Sequence, residues 1–447
     1  MTIERSLQQF IESTLDPEQR THCRWLVGYS GGLDSHLLLH CLSTVVAHFD
    51  GVVLQAIHVN HQLQAQAEDW EQHCQSKADQ LNVPLRIERV NVEVNHSAGL
   101  EAAAREARYR VFKANLGEND VLFLAHHQDD QAETLLLRLM RGSGATGLSA
   151  MASSSQFETM RILRPLLGTS RVELEQQAEQ RQLHWIEDPS NNDVRHDRNF
   201  IRRDIMPLLK SRWPTAAGNI ARSAELLRIE SQQLEVLLQP LYDEAVDDQL
   251  RINNHFLQSL PEVTQGQLIR YWLKRLDLPY PSQVNLRRII DEVLGAPKDG
   301  QPLVRWGSVE VRRYDGWLYG MKAQTVFDSQ QALQWVFPET LHVEGLGCVT
   351  AEKTQAGGLR MPAGDQEQVT LKFRQGGEKC RPFRKGKNRP LKKLMHEYQI
   401  PPWLRDRTPL VYYGDQLVAV VGAWVCEEYA VLADQAGYRL TLIDAKD

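Results

Sequence analysis

Ser30-Gly31-Gly32-Leu33-Asp34-Ser35 constrains this chain more than any other stretch. Trp25-Leu26-Val27 precedes it and Leu37-Leu38-Leu39 follows it. A short apolar run, a glycine-rich corner and a second apolar run predict a buried strand, a tight loop and a helix. Two adjacent glycines let the backbone approach a ligand closely, and the N–H groups that open the next helix favour phosphate. Ser30 and Ser35 add hydroxyl donors. Asp34 can cap the helix or hold Mg²⁺. A Walker loop would need Gly-Lys followed by Ser or Thr, and none is present. An ordinary strand-to-helix turn with a polar cap would account for the same spacing, but nucleotide binding accounts for all six residues.

The first ~215 residues alternate strand and helix patterns in the manner of an open parallel sheet. Strands are predicted at Val52–Val59, Leu85–Val90 and Val121–Leu124, and helices at Gln64–Leu81, Leu100–Lys113 and Asp129–Met140. In such a sheet ligands bind beyond the strand C-termini, so the loops after Tyr29, Val59 and Ala125 are expected to face one cleft. Helical periodicity returns over Ala216–Leu238, Phe256–Leu276 and Val284–Leu294, and short strands follow over Pro302–Met321. From about Val369 the pattern is β-rich, with a hairpin expected over Val411–Val421. The expected fold is therefore α/β: a doubly wound N-terminal domain (1–215), a mainly helical domain (216–330), a linker or strand segment (331–368) and a smaller β-rich domain (369–447).

At 447 residues, 42% hydrophobic and 24% charged, the chain has the composition of a soluble multidomain protein. No apolar run approaches the ~18 residues of a membrane span, and no signal peptide is visible, so a cytoplasmic location is expected. The six cysteines are scattered, with none at CxxC spacing, which argues against a disulfide framework, a zinc finger or an iron–sulfur site. Buried reduced thiols are expected instead. The net charge of −6 hides a segregation: Lys372–Arg407 holds twelve Lys or Arg against three acids, leaving −15 for the rest. One local basic segment in an acidic protein suits a specific polyanion.

His126-His127-Gln128-Asp129-Asp130-Gln131-Ala132-Glu133 follows a predicted strand and opens a helix. His127, Asp130 and Glu133 recur every three residues and so line one face. Carboxylates there could hold a metal on a nucleotide's phosphates, and a His could balance charge on a leaving group. Arg105 and Arg108, on propensity alone, read as surface charges of a strong helix. Gly142-Ser143-Gly144-Ala145-Thr146-Gly147 matches GxGxxG but follows a helix, so the dinucleotide fingerprint fails and a mobile loop near the cleft is expected. Arg195 to Arg203, interleaved with Phe200, is either a solvated face or an RNA contact.

The hexapeptide resembles the PP-loop of the ATP pyrophosphatases. With the Glu101–Tyr109, His126–Gly142 and Asp188–Arg203 stretches and the Gly376–Trp424 tail, the chain is similar to the tRNA(Ile)-lysidine synthetase family over nearly its whole length. His58-Val59-Asn60-His61 fits that family's second-strand motif, with Gln62 where Gly is common. The resemblance implies a ligase that joins L-lysine to C2 of the wobble cytidine of an isoleucine tRNA with a CAU anticodon, through an adenylated cytidine, so that the tRNA reads AUA. It implies that Ser30, Gly31, Gly32, Leu33, Asp34 and Ser35 bind ATP, that Asp34 and Asp130 hold Mg²⁺, and that Asp34, His127, Asp130, Glu133 and Arg105 carry the chemistry. It also implies tRNA contacts at Arg195, Arg202, Arg203, Lys379, Arg381, Arg389, Lys392, Lys393 and Arg405. No membrane or DNA partner is expected, and a homodimer is compatible with the sequence. A PP-loop tRNA thiolation enzyme and a noncatalytic RNA-binding protein are the competing readings.

These readings separate by product. Incubation of the protein with tRNA, ATP and lysine, without a sulfur donor, should yield a lysine adduct on cytidine by nucleoside mass analysis. A thiolated base would favour the thiolation enzyme.

Overall fold

The computed structural model describes residues 2–447 except 63–65, 93–98, 158, 188–195, 298–299, 325–326, 356, 365–366, 385–386, 433–434 and 445–447. The chain divides into two compact units, Met1–Val236 and Leu237–Asp447.

The first unit is built from α1 (Ile3–Thr14), β1 (Arg24–Gly28), α2 (Leu33–Val45), β2 (Val53–Asn60), α3 (Ala67–Gln80), β3 (Leu85–Arg89), α4 (Leu100–Asn115), β4 (Val121–Phe123), α5 (Gln128–Met140), α6 (Ala145–Leu148), β5 (Ser154–Phe157), β6 (Met160–Leu163) and α7 (Arg171–Gln180). Its sheet runs β3-β2-β1-β4-β6-β5. All neighbours are parallel except β5, an antiparallel edge strand formed by a hairpin with β6 that periodicity did not predict. The strands are short and apolar because both faces are covered. On one face, Trp25, Val27, Val121 and Phe123 pack with α1, α2 and α7, where Leu37, Leu38 and Leu39 are fully buried. On the other, Leu26, Ile57, Leu122 and Leu124 meet Tyr109 and Phe112 of α4. The chain lays strands β1 to β3 outward on one side of β1 and returns to β4 on its other side. The order therefore reverses at β1/β4, where a ligand crevice opens in folds of this kind.

Residues beyond α7 turn back through the helical pieces Asp197–Phe200, Ile201–Ile205 and Met206–Arg212. Ile201 and Met206 seat on Ala132 of α5.

In the second unit the predicted long helix at 256–276 is two, Asn254–Ser259 and Glu262–Arg275, because Pro261 between them cannot continue a helix. They pack with Gln283–Arg288 and Ile289–Leu294 and the strands Leu303–Trp306, Val309–Tyr314 and Trp317–Lys322 around Trp272. The segment 331–368 is more than a connection: Gly347–Thr354 pairs along its length with Gly437–Asp444. Leu410–Tyr413 and Gln416–Val420 form the expected hairpin. The expectation of reduced thiols throughout is corrected at one pair: Cys380 and Cys426 are joined in a disulfide, although 46 residues separate them, because both pack into one apolar cluster with Leu394, Met395 and Trp424. Cys23, Cys41, Cys74 and Cys348 are free. No helix among the described residues is long and apolar enough to cross a membrane.

Candidate active site

The loop after β1 turns at Gly31, whose φ of +83° favours glycine and whose missing Cβ would stand 2.8 Å from the Cys74 sulfur. Ile186 N–H donates to the Gly31 carbonyl at 3.0 Å. Ser35 Oγ lies 3.0 Å from Ser30 Oγ, accepts from Ser30 N–H at 3.2 Å and donates to Gly32 O at 3.1 Å. The two hydroxyls thus brace the loop across its mouth. Gly32 caps α2 without any side chain, so the amides that open α2 keep their attraction for an anion. Leu33 is buried and anchors the turn.

The loop after β4 arrives beside it. His127 caps α5: its Nδ1 accepts from Asp129 N–H at 3.2 Å, while Asp130 accepts from His127 N–H at 3.0 Å. With Nδ1 an acceptor, the ring's donor is Nε2. That nitrogen lies 3.7 Å from Asp34 and 3.5 Å from Asp130. One imidazole N–H therefore sits between carboxylates from two loops that are 96 residues apart in sequence.

The counter-charges come from farther along the chain. Arg171 meets Asp34 at 2.7 Å. Arg198 donates to Glu133 at 2.9 Å and to Asp130 at 2.8 Å; Arg202 donates to Glu133 at 2.6 Å and to Asp130 at 3.1 Å. Lys210 pairs with Asp129. Burial pushes Asp34 up, and His127 and Arg171 offset this only in part. Burial also raises Asp130, but His127 and Arg198 outweigh it and hold the carboxyl down to about 2. Asp129 is lowered likewise, burial being outweighed by Lys210 and the Arg171 N–H. Glu133, 1% exposed, is enclosed by its two arginines.

The structure brings Ser30–Ser35, His127, Asp130 and Glu133 together. Arg105 lies on α4, on the opposite sheet face, its guanidinium 4.6 Å over the Tyr109 ring. Arg195 lies outside the described residues. Arg202 points inward to Glu133 rather than outward to a nucleic acid, because two buried carboxylates draw it in; Arg203 is exposed. The Gly142–Gly147 loop, expected to be mobile, is held by Arg138, which donates to the carbonyls of Gly147 at 2.7 Å and Ala150 at 3.0 Å. Gln62 takes φ +54°, the conformation a glycine would fill at no cost, and Asn60 holds it by accepting its N–H at 2.7 Å. Sequence reasoning missed Arg171, Arg198 and Lys210 as partners of the acids. Their one local signal is charge in the first or last turn of a short helix.

A second surface lies in the second unit. Helix Leu391–Glu397 buries Leu391, Leu394 and Met395 and turns Lys392 and Lys393 to solvent. Lys379 and Arg381 are exposed beside it. Two members of the expected set are engaged elsewhere: Arg389 pairs with Glu397, and Arg405 donates to Ile400 O at 2.9 Å and Tyr314 Oη at 3.0 Å. The Pro-Pro-Trp run is a packing seam, with Trp403 edge-on to Tyr319 at 5.2 Å and Arg312 over its ring at 5.2 Å.

Residues 1–209 match the PP-loop domain, 256–319 the TilS substrate binding domain and 369–442 the TilS substrate C-terminal domain. The chain is 37% identical over 425 residues to the tRNA(Ile)-lysidine synthase of Coxiella burnetii (strain RSA 493 / Nine Mile phase I), covering 94% of this chain and 93% of that one. It is 42% identical over 417 residues to that of Shigella flexneri, covering 93% and 95%.

The electrostatics give a pH signature. Asp130 titrates at about 2 in the fold against an ordinary 3.8, so its stabilising contribution is complete above that ordinary value and is lost as pH falls from about 4 to about 2. Urea unfolding of Asp130→Asn should show lower stability at pH 7 and a shallower acid-induced loss between about pH 4 and pH 2 than the parent protein. Equal slopes would mean that Asp130 is not paired as described.

Proposed function

The chain belongs to the tRNA(Ile)-lysidine synthase family, and on that premise we propose how its cleft carries out ATP-dependent lysidine formation on tRNA(Ile). The observation that carries the reading is the meeting of PP-loop Asp34 and helix-start Asp130 on one His127 N–H. It joins the phosphate loop and the acidic helix into one reaction centre.

The C2 oxygen of cytidine is a poor leaving group. Its attack on the α-phosphorus of ATP forms a new C2–O–P linkage and releases pyrophosphate. The amides that open α2, with the Ser30 and Ser35 hydroxyls, are suited to hold the departing anion. The neutral ε-amine of L-lysine then bonds to C2, AMP departs with the oxygen, and the amine's proton leaves to a base. The His127 Nε2–H donates toward charge developing on the transferred phosphate, while Asp129, through Nδ1's amide partner, fixes the ring's tautomer. Asp130 and Glu133, neutralised by Arg198 and Arg202, form an ordered wall rather than a free negative sink. Arg171 neutralises Asp34 and can exchange that carboxylate for a substrate phosphate.

Mg²⁺ fits this centre at Asp34. Arg171 takes Asp34 Oδ1 at 2.7 Å, while Oδ2 stands 3.7 Å from His127 Nε2, so that oxygen would be the one to meet a cation. Both Asp130 oxygens are engaged by Arg198, Arg202 and the His127 N–H, so Asp34 takes the larger share. Mg²⁺ characteristically needs only one or two carboxylates beside substrate phosphates, and it would draw electron density from the phosphates.

A thiolation reading would need a reactive thiol in the cleft. Cys74, beside Gly31, is pushed up to about 12 by burial and Glu71, so it stays protonated near neutrality. We assign tRNA binding to residues 216–330 and 369–447 alongside the catalytic 1–215, with Lys379, Arg381, Lys392 and Lys393 as phosphate contacts, and the enzyme to the cytoplasm with its tRNA.

Asp34→Ala should abolish tRNA-dependent pyrophosphate release with tRNA affinity little changed; release at a rate comparable to wild type would sink the assignment. Replacing Lys379, Lys392 and Lys393 together with Gln should weaken tRNA binding and flatten the slope of log K against log salt by roughly 0.7–0.9 per lost contact, with ATP affinity unmoved. An unchanged slope in filter binding would move the phosphate contacts elsewhere.

A further inference from the structure

We infer that Arg105, Arg138 and Arg164 form a phosphodiester subsite that grips the tRNA backbone beside the wobble cytidine. The inference rests on the proposed entry of tRNA into the cleft. His127 sits on extended backbone beyond β4, with φ −126° and ψ −175°. His127 turns to Asp34, on the α2 side. The charges of Asp130, Arg164, Arg198 and Arg105 all act on His126.

Arg164 is only 6% exposed, yet it faces no carboxylate among the described residues. Its Nη1 donates to Ala152 O at 2.9 Å and Ser155 Oγ at 3.0 Å, the Tyr109 hydroxyl supports its charge, and its Nε has no partner. Arg138 spends Nη1 on two carbonyls, and Arg105 donates to Tyr109 Oη at 3.1 Å. Arg138 and Arg164 meet on one stretch, at Ala150 O and Ala152 O, and the Tyr109 ring under Arg105 packs edge-on to Phe157 of the same stretch at 5.2 Å. His126 Nδ1 is buried without a partner at the same place. In the same unit Arg198 and Arg202, by contrast, each face two carboxylates. Arg164 alone of the three is buried, Arg138 being half-buried and Arg105 exposed, and burying a guanidinium without a counter-ion is costly unless a ligand supplies the anion.

ATP has its own anion site at the start of α2, across the sheet. A cytidine inserted to reach His127 carries a phosphate on each side, and one of them meets the α4 side. Planar guanidiniums suit a phosphate's paired oxygens and position the strand without reading its sequence.

The test uses wild-type enzyme and full-length tRNA(Ile) carrying one uncharged methylphosphonate 5′ or 3′ of the wobble cytidine. One of the two should raise the KM for tRNA by about tenfold or more, as expected for loss of a charge-assisted contact, with the KM for ATP unchanged. Arg138→Gln and Arg164→Gln should show a similar loss on unmodified tRNA and little further loss on the neutral linkage. Should Arg164→Gln fail to fold, half-buried Arg138 and the methylphosphonate series decide alone. Full activity with both neutral linkages, or losses that simply add, would overturn the inference. So would variants that raise the KM for ATP alone, which would assign the anion to ATP. No lysidine from wild type on unmodified tRNA would instead overturn the proposed function.

Discussion

Four carboxylates crowd the start of two loops, and the fold depends on how that charge is offset. Asp34 comes from the loop after β1, while Asp129, Asp130 and Glu133 all lie within two turns of α5. Left unpaired, such a cluster would repel itself and resist burial. The structure answers with Arg171 from the start of α7 and Arg198, Arg202 and Lys210 from the helical stretch that follows. The closing of residues 197–212 over α5 is thus an electrostatic necessity as much as a packing one, with Ile201 and Met206 supplying the apolar part. The result is a centre whose acids are fixed in place before any substrate arrives, which is what electrostatic preorganisation requires.

The topology makes this economical. Because β1 and β4 are neighbours where the strand order reverses, their following loops must emerge side by side. Two neighbouring histidines then stand among charges of both signs: His127 lies between Asp34 and Asp130, while Asp130, Arg164, Arg198 and Arg105 act on His126. A reaction that joins an ATP phosphate to the base of a phosphate-linked strand calls for separate anion sites for the nucleotide and for the strand.

What the sequence made legible was local. The hexapeptide, the apolar strands and the capping start of α5 announce themselves through spacing of a few residues, and the hairpin near the C-terminus through alternation. What it hid was long-range. Nothing in the 195–203 run says that Arg202 turns inward, because the carboxylates that draw it lie about seventy residues away. Likewise Cys380 and Cys426 share no spacing motif, and Arg405 reads as an RNA contact until Tyr314 claims it. The edge strand β5 is short and polar, so its pairing with β6 owes more to the turn than to any pattern. Charge runs, in particular, cannot be divided by sequence into those that face solvent and those that close a core.

On this mechanism the cleft activates the nucleic acid and not the amino acid. ATP labelled on the α-phosphate, mixed with enzyme and tRNA(Ile) in a single turnover without lysine, tests it directly. The account predicts that label accumulates on the wobble cytidine and is released as AMP when lysine is added. Label that appears only once lysine is present, and on lysine rather than on tRNA, would contradict it.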